Sequence, residues 1–129
     1  MTGHPTVDIK GLTNAAPLEI YSSINYINKN QPASLLSCTA SNLLQTETYK
    51  VRLHFTPWPF GKGTVLQDIK INGAIIESNF DPCALNKASI VEAPSIKPDA
   101  SNQIAIEIAP HPGSGGNAAI SGIEILINE

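Results

Sequence analysis

Charge is sparse in this chain of 129 residues: 15% are Asp, Glu, Lys or Arg, the formal net charge is −3, and no basic run occurs. A nucleic-acid binder needs a basic stripe to neutralise phosphates, so nucleic acid is not an expected partner. Long apolar runs are missing as well. No window approaches the roughly 18 consecutive apolar residues of a membrane-spanning helix, and Met1-Thr-Gly-His has neither the charged start nor the apolar core of a signal peptide. The chain reads as soluble, without membrane insertion, and its location stays open. Cysteine is limited to Cys38 and Cys83, too few for a disulfide framework and not spaced as a local metal knuckle. Two small buried thiols is the plainer reading; a single bridge across a sandwich stays open. Without an Asn-x-Ser/Thr sequon, N-glycosylation is not expected. No Gly-x-Ser-x-Gly element presents a nucleophile, and the 11 acidic residues are scattered, without the facing pair that a glycosidase requires. The expectation is a protein that is not an enzyme.

What the chain does have is a period of two. In Tyr49–Phe55, Tyr49, Val51, Leu53 and Phe55 alternate with Lys50, Arg52 and His54, the pattern of a core strand covered on one face. Val65–Asn72 repeats it with Val65, Gln67, Ile69 and Ile71. Asn72-Gly73 then supplies the positive φ angles of a type I′ turn, so Ala74–Glu77 is expected to return as a hairpin. Gln103–Ala109 and the final Ile123–Ile127 alternate in the same way, and Ile90–Ala93 reads as a shorter strand stopped by Pro94 and Pro98. The segment from His111 to Gly116 combines a proline with three glycines, a composition suited to a ligand-contacting loop. In the N-terminal third, Thr6–Ile9, Leu18–Tyr21, Ile24–Ile27 and Leu35–Ala40 are candidate strands, and Ala40–Glu47 is the one candidate helical turn. With many short strands, 10 prolines and 9 glycines, the expected fold class is all-β, an antiparallel β-sandwich of jelly-roll type. The length fits one domain spanning 1–129.

Four segments, in order, carry a family resemblance: Tyr49-Lys-Val-Arg-Leu-His-Phe55, Ile71-Asn-Gly73, Asn79-Phe-Asp81 and Ile120-Ser-Gly-Ile-Glu-Ile125. Over residues 49–127 the chain resembles the malectin and malectin-like carbohydrate-binding family. The resemblance implies a jelly-roll sandwich that binds glycans through loops at one end, appended to glycoside hydrolases or displayed on receptor ectodomains. It also marks departures. Thr56-Pro-Trp-Pro-Phe60 follows the Leu-His-Phe strand where the family has a small residue and then an acid. Gly115-Gly116-Asn117 stands where malectin has a sugar-contacting aspartate. The aromatic pair that sandwiches the sugar in malectin has no clear counterpart in residues 1–48.

Sugar recognition needs an aromatic face for the apolar side of a pyranose and planar polar groups for its hydroxyls. Trp58 and Phe60, in a proline-stiffened loop, are the first candidate platform, with core residues capping the sandwich as the competing role. Tyr21 and Tyr26 are the second, with Asn25 and Asn28 as hydroxyl partners, against a half-buried strand as the plainer reading. Asp81 lies in the most family-like segment, yet an Asp-Pro step at a strand end commonly fixes a turn. Asn117 and Ser121 flank the Gly-rich loop and are candidate hydroxyl contacts or exposed loop residues. His54, on the polar side of its strand, is read as a surface or hydrogen-bonded histidine, and no metal site or cofactor is expected, with a structural Ca²⁺ left open. The expected function is a non-catalytic module that binds an oligosaccharide or polysaccharide by stacking and hydrogen bonds. It would target an attached glycoside hydrolase or receptor, in a secreted or extracytoplasmic setting. The alternative is a structural or protein-interaction sandwich that has lost the sugar site.

Overall fold

Alternation of side chains places strands through most of the chain, and the computed structural model describes residues 25–27, 36–56, 66–83, 87–112 and 118–128. Among them are nine strands: β1 (Asn25–Ile27), β2 (Leu36–Ala40), β3 (Tyr49–Phe55), β4 (Gln67–Ile71), β5 (Ala74–Phe80), β6 (Ser89–Ile96), β7 (Ile104–Pro110), β8 (Ala118–Ile120) and β9 (Gly122–Ile127). No described residue is helical; the expected helical turn after Ala40 is a simple turn in which the Glu47 amide donates to the Leu44 carbonyl at 3.1 Å.

The β4–β5 hairpin turns at Asn72-Gly73, with φ of 49° and 82°. Glycine suits the second position because its backbone enters the left-handed region without a Cβ penalty. The Asn72 side chain then braces the turn from outside, accepting from the Ala105 amide at 2.8 Å and donating to the Lys97 carbonyl at 3.3 Å.

Around this hairpin the antiparallel pairings are nested: β4 with β5, β3 with β6, β2 with β7, and β1 with β8. The chain is thus one long folded ribbon, rolled so that β4 also meets β7 and β3 also meets β9. β8 and β9 are consecutive and separated only at Ser121, whose amide donates to the His54 carbonyl at 2.8 Å. The resulting sheet orders, β2-β7-β4-β5 and β6-β3-β9 with β1-β8 as a separate two-stranded sheet, are consistent with a jelly roll. Tyr49, Val51, Leu53 and Phe55 from one sheet and Ile69, Ile71, Ile104, Ile106 and Ile108 from the other form a single core cluster.

Three further expectations change. β3 is covered on both faces, since Arg52 and His54 are buried along with the apolar row; as the central strand of its sheet it brings them between Glu92 of β6 and Glu124 of β9. The β6 strand runs on through Pro94 to Ile96. Proline is tolerated there because β6 is an edge strand and its register with β3 slips between Tyr49 and Val51. Cys38 is exposed rather than buried, lying on β2, whereas Cys83 is buried, and the two are not joined by a disulfide.

Candidate functional site at the loop-bearing end

The nested pairing dictates where the connections go. Gln67, Phe80 and Pro110 are register neighbours at the start of β4 and the ends of β5 and β7. Phe55, at the end of β3, pairs with Ser89 at the start of β6. The Phe55 and Phe80 rings pack 4.8 Å apart at 55°, so these two rows share one end of the sandwich. The chain therefore leaves this end in the β3–β4, β5–β6 and β7–β8 connections. The β1–β2 connection belongs there too, because Ile27 pairs with Ala118 and Leu36 with Ile108. The roots of the connections are tied together: the His111 amide donates to the Leu66 carbonyl at 2.8 Å.

A second tie is electrostatic. Asp68 Oδ1 accepts from the Asn79 amide at 2.9 Å, from Ser78 Oγ at 3.2 Å and from His111 Nδ1 at 2.6 Å. Burial by itself raises the Asp68 carboxyl, but the Asn79 amide, the His111 hydrogen bond and charge, and the Ser78 hydroxyl together hold it below its ordinary value. Asn79 adopts a left-handed backbone with φ of 61°, a conformation asparagine enters more readily than most residues.

Beside this clamp, a cavity of about 390 Å³ is lined by Glu77, Ser78, Asn79, Phe80, Asp81, Pro82 and Ser89. Asp81 Oδ1 accepts from the Cys83 amide at 2.9 Å, the turn-fixing use that an Asp-Pro step favours. Burial, reinforced by the Asp81 charge, pushes the Cys83 thiol up to about 11, so it is not a thiolate nucleophile at neutral pH. A larger cavity of about 450 Å³ opens at the β2 edge between Leu36, Ser37, Cys38, Ile106, Ile108, Ile120 and Ile123. Its mostly aliphatic walls offer little to orient a polar ligand.

Of the residues singled out in the sequence, Asp81 lines the smaller cavity, and Asn25 and Tyr26 lie in β1 beside Ile120 and Ala119. Trp58, Phe60, Tyr21, Asn28 and Asn117 lie outside the described residues. Ser121 is buried, not an exposed loop residue, and its Oγ has no hydrogen-bond partner. His54 is fully buried with Nε2 2.5 Å from Glu124, whereas His111 pairs with Asp68. Among the described residues no three His, Cys, Asp or Glu side chains group to hold a metal ion. Sequence reasoning missed Glu77, Phe80, Ser89 and the Asp68 clamp. The available signal was Asn79-Phe80-Asp81 directly after a hairpin, which marks a strand end.

No protein-family model matches the chain, and no curated protein matches it. Among solved structures, it resembles the ANXUR2 extracellular domain from Arabidopsis thaliana with a TM-score of 0.83 at 17% identity, over 100% of this chain and 38% of that one. The ANXUR1 extracellular domain from the same plant gives 0.80 at 17% identity, over 95% of this chain and 36% of that one. A chain in the crystal structure of plant peptide RALF23 in complex with FER and LLG2 gives 0.73 at 17% identity, over 95% of this chain and 38% of that one. The chain thus spans little more than a third of the length of these proteins, and the likeness is one of fold.

Proposed function

We propose, from the malectin-like fold that this chain shares with those ectodomains, that it is a non-catalytic recognition module whose loop-bearing end binds a protein or peptide partner. The observation that carries the reading is the convergence of the chain connections on one end, beside a preformed cavity and the edge strand β5. Rigid strands holding variable connections at one end is a general arrangement for binding. Among the described residues β5 pairs with β4 alone, and an edge of that kind offers main-chain groups that an extended peptide pairs with and a pyranose cannot use as a ladder. The presence of a similar chain in a peptide complex supports the same direction.

Carbohydrate binding is the second reading. What supports it is that Asn25 and Tyr26 lie on β1 and Asp81 lines the smaller cavity. The two readings separate in one experiment: calorimetric titration with gluco-, galacto-, manno- and xylo-oligosaccharides, alongside selection of displayed linear peptides on the immobilised protein. Recovery of peptides whose binding is lost on Phe80→Ala, with the sugar panel silent, is the expected result. Saturable heat from one sugar series, competing with no peptide, would replace the protein-recognition reading with the lectin one.

A further inference from the structure

Asn72 does more than turn the β4–β5 hairpin. Its backbone amide donates to the Ala105 carbonyl at 2.8 Å, and its side-chain oxygen accepts from the Ala105 amide at 2.8 Å, so the two residues exchange bonds as strand neighbours do. The side-chain nitrogen donates to the Lys97 carbonyl at 3.3 Å. Ala105 lies in β7, of the hairpin's own sheet, whereas Lys97 directly follows β6, of the other. One side-chain amide therefore docks the hairpin to both sheets, at the end opposite the loop-bearing one. The chain between its two partners is closed by Asp99, whose Oδ1 accepts from the Ser101 and Gln103 amides at 2.9 and 3.0 Å.

Asn72-Gly73 is also the one Asn-Gly step in the sequence, and both residues are exposed. A side-chain amide followed by glycine is open to attack by the next backbone nitrogen, because glycine has no Cβ to hinder the approach. Among the described residues no heavy atom stands within 4 Å of where a Gly73 Cβ would be. In that reaction the Gly73 nitrogen bonds to Asn72 Cγ and gives up its proton, the Cγ–Nδ2 bond breaks, and ammonia leaves. Water then opens the succinimide ring at either carbonyl, giving aspartate or, where the main chain is left running through Cγ, isoaspartate. Cyclisation requires Cγ to swing back onto Gly73, which the bonds to Ala105 and Lys97 oppose. Asn42, Asn79 and Asn102 share the left-handed backbone but precede Leu43, Phe80 and Gln103, whose side chains obstruct the attack.

We propose that Asn72 is a deamidation site gated by the docking of its own hairpin: it cyclises only while the bonds to Ala105 and Lys97 are open, and the isoaspartate so formed does not dock again. Isoaspartate adds an atom to the main chain, which a two-residue turn cannot absorb. The aspartate product is milder. Its carboxylate still accepts from the Ala105 amide but has no hydrogen to give the Lys97 carbonyl. Because the reaction runs one way, this end of the sandwich loosens as the protein ages. The inference is independent of what the loop-bearing end binds.

The test incubates the intact protein at mildly alkaline pH beside a synthetic peptide of residues 68–77 and follows both by peptide mapping with isoaspartate-specific methylation. Asn72 in the folded protein reacts on the order of tenfold more slowly than in the peptide, since two hydrogen bonds must open first. Low urea leaves that rate nearly flat, the mark of a local opening, until global unfolding brings it to the peptide's. The isoaspartate form, separated from aged protein, exchanges its Ala105 amide hydrogen about tenfold faster than the parent and melts about 4 °C lower. Asn72→Asp, an exposed change, melts between the two. Equal rates in protein and peptide overturn the gating, as does a folded-state rate that follows global unfolding from the first addition of urea. An isoaspartate form whose Ala105 amide exchanges as slowly as the parent's overturns the loss of docking.

Discussion

One carboxylate oxygen, Asp68 Oδ1, accepts from the Asn79 amide, the Ser78 hydroxyl and His111, and so joins the ends of β5 and β7 at the loop-bearing end. Because the folded protein holds this carboxyl below its ordinary value, the folded state binds its proton more weakly than the unfolded chain, where an aspartate titrates near ~3.9. The stabilisation is therefore fully present above that value and is lost as pH falls through the depressed folded pKa. Asp68→Asn tests it: the variant should be less stable than the parent by about 1 kcal/mol at neutral pH, a modest figure because the side chain stays a fifth exposed. The difference should shrink as urea denaturation is repeated at successively more acid pH. A gap that persists unchanged through the acid range would assign the effect to shape rather than charge. The sequence offered no hint of this clamp, since Asp68 and His111 are 43 positions apart and become neighbours only once β4 pairs with β7.

At the scale of elements, Gln67 links β4 to β8 without a backbone ladder. Its amide donates to the Ala119 carbonyl at 3.0 Å and accepts from the Ala119 amide at 2.8 Å, imitating a strand neighbour from within the core. Gln67 and Ala119 are both buried, so truncating the side chain leaves two main-chain groups unpaired away from water. Gln67→Ala should cost about 3 kcal/mol. Gln67→Glu, which cannot donate when ionised, should be less stable than wild type and recover partly when the acid is protonated. Thermal unfolding of the three proteins at two pH values checks both statements; a cost under about 1 kcal/mol for Gln67→Ala would show that β8 is held by β1 and the core alone. The elements themselves were legible where local chemistry dictates them. The Asn72-Gly73 turn and the Ile104-Ile106-Ile108 row were readable because φ preference and alternation act over a few residues. The run of β6 through Pro94 was not, because the tolerance for proline comes from the edge position and the register slip against β3. Arg52 and His54 misled for a related reason: polar alternation reads as exposure, while their burial is satisfied by Glu92 and Glu124 from neighbouring strands.

For the whole molecule, nested pairing makes the most distant parts of the chain interdependent, since β1 meets β8 and β2 meets β7 before either sheet is complete. This explains what could be read of the candidate site and what could not. The sequence indicated loops with aromatic and amide residues, but only the rolled ribbon shows that their roots lie at one end; Glu77, Phe80 and Ser89 meet there because β5 and β6 stand in opposite sheets. The same interdependence governs stability. Leu53 at 1% exposure and Ile106 at 1% lie in different sheets yet belong to one core cluster. Leu53→Ala and Ile106→Ala should each lower the stability of one common transition by about 3 kcal/mol, with far-ultraviolet circular dichroism and Trp58 fluorescence giving coincident curves. If the sheets were separable units, each substitution would move only part of the signal and the two probes would part company. Pairings this distant in sequence also place refolding in the slow range, on the order of milliseconds to seconds. Both variants should accelerate unfolding more than they slow refolding wherever their packing forms after the rate-limiting step.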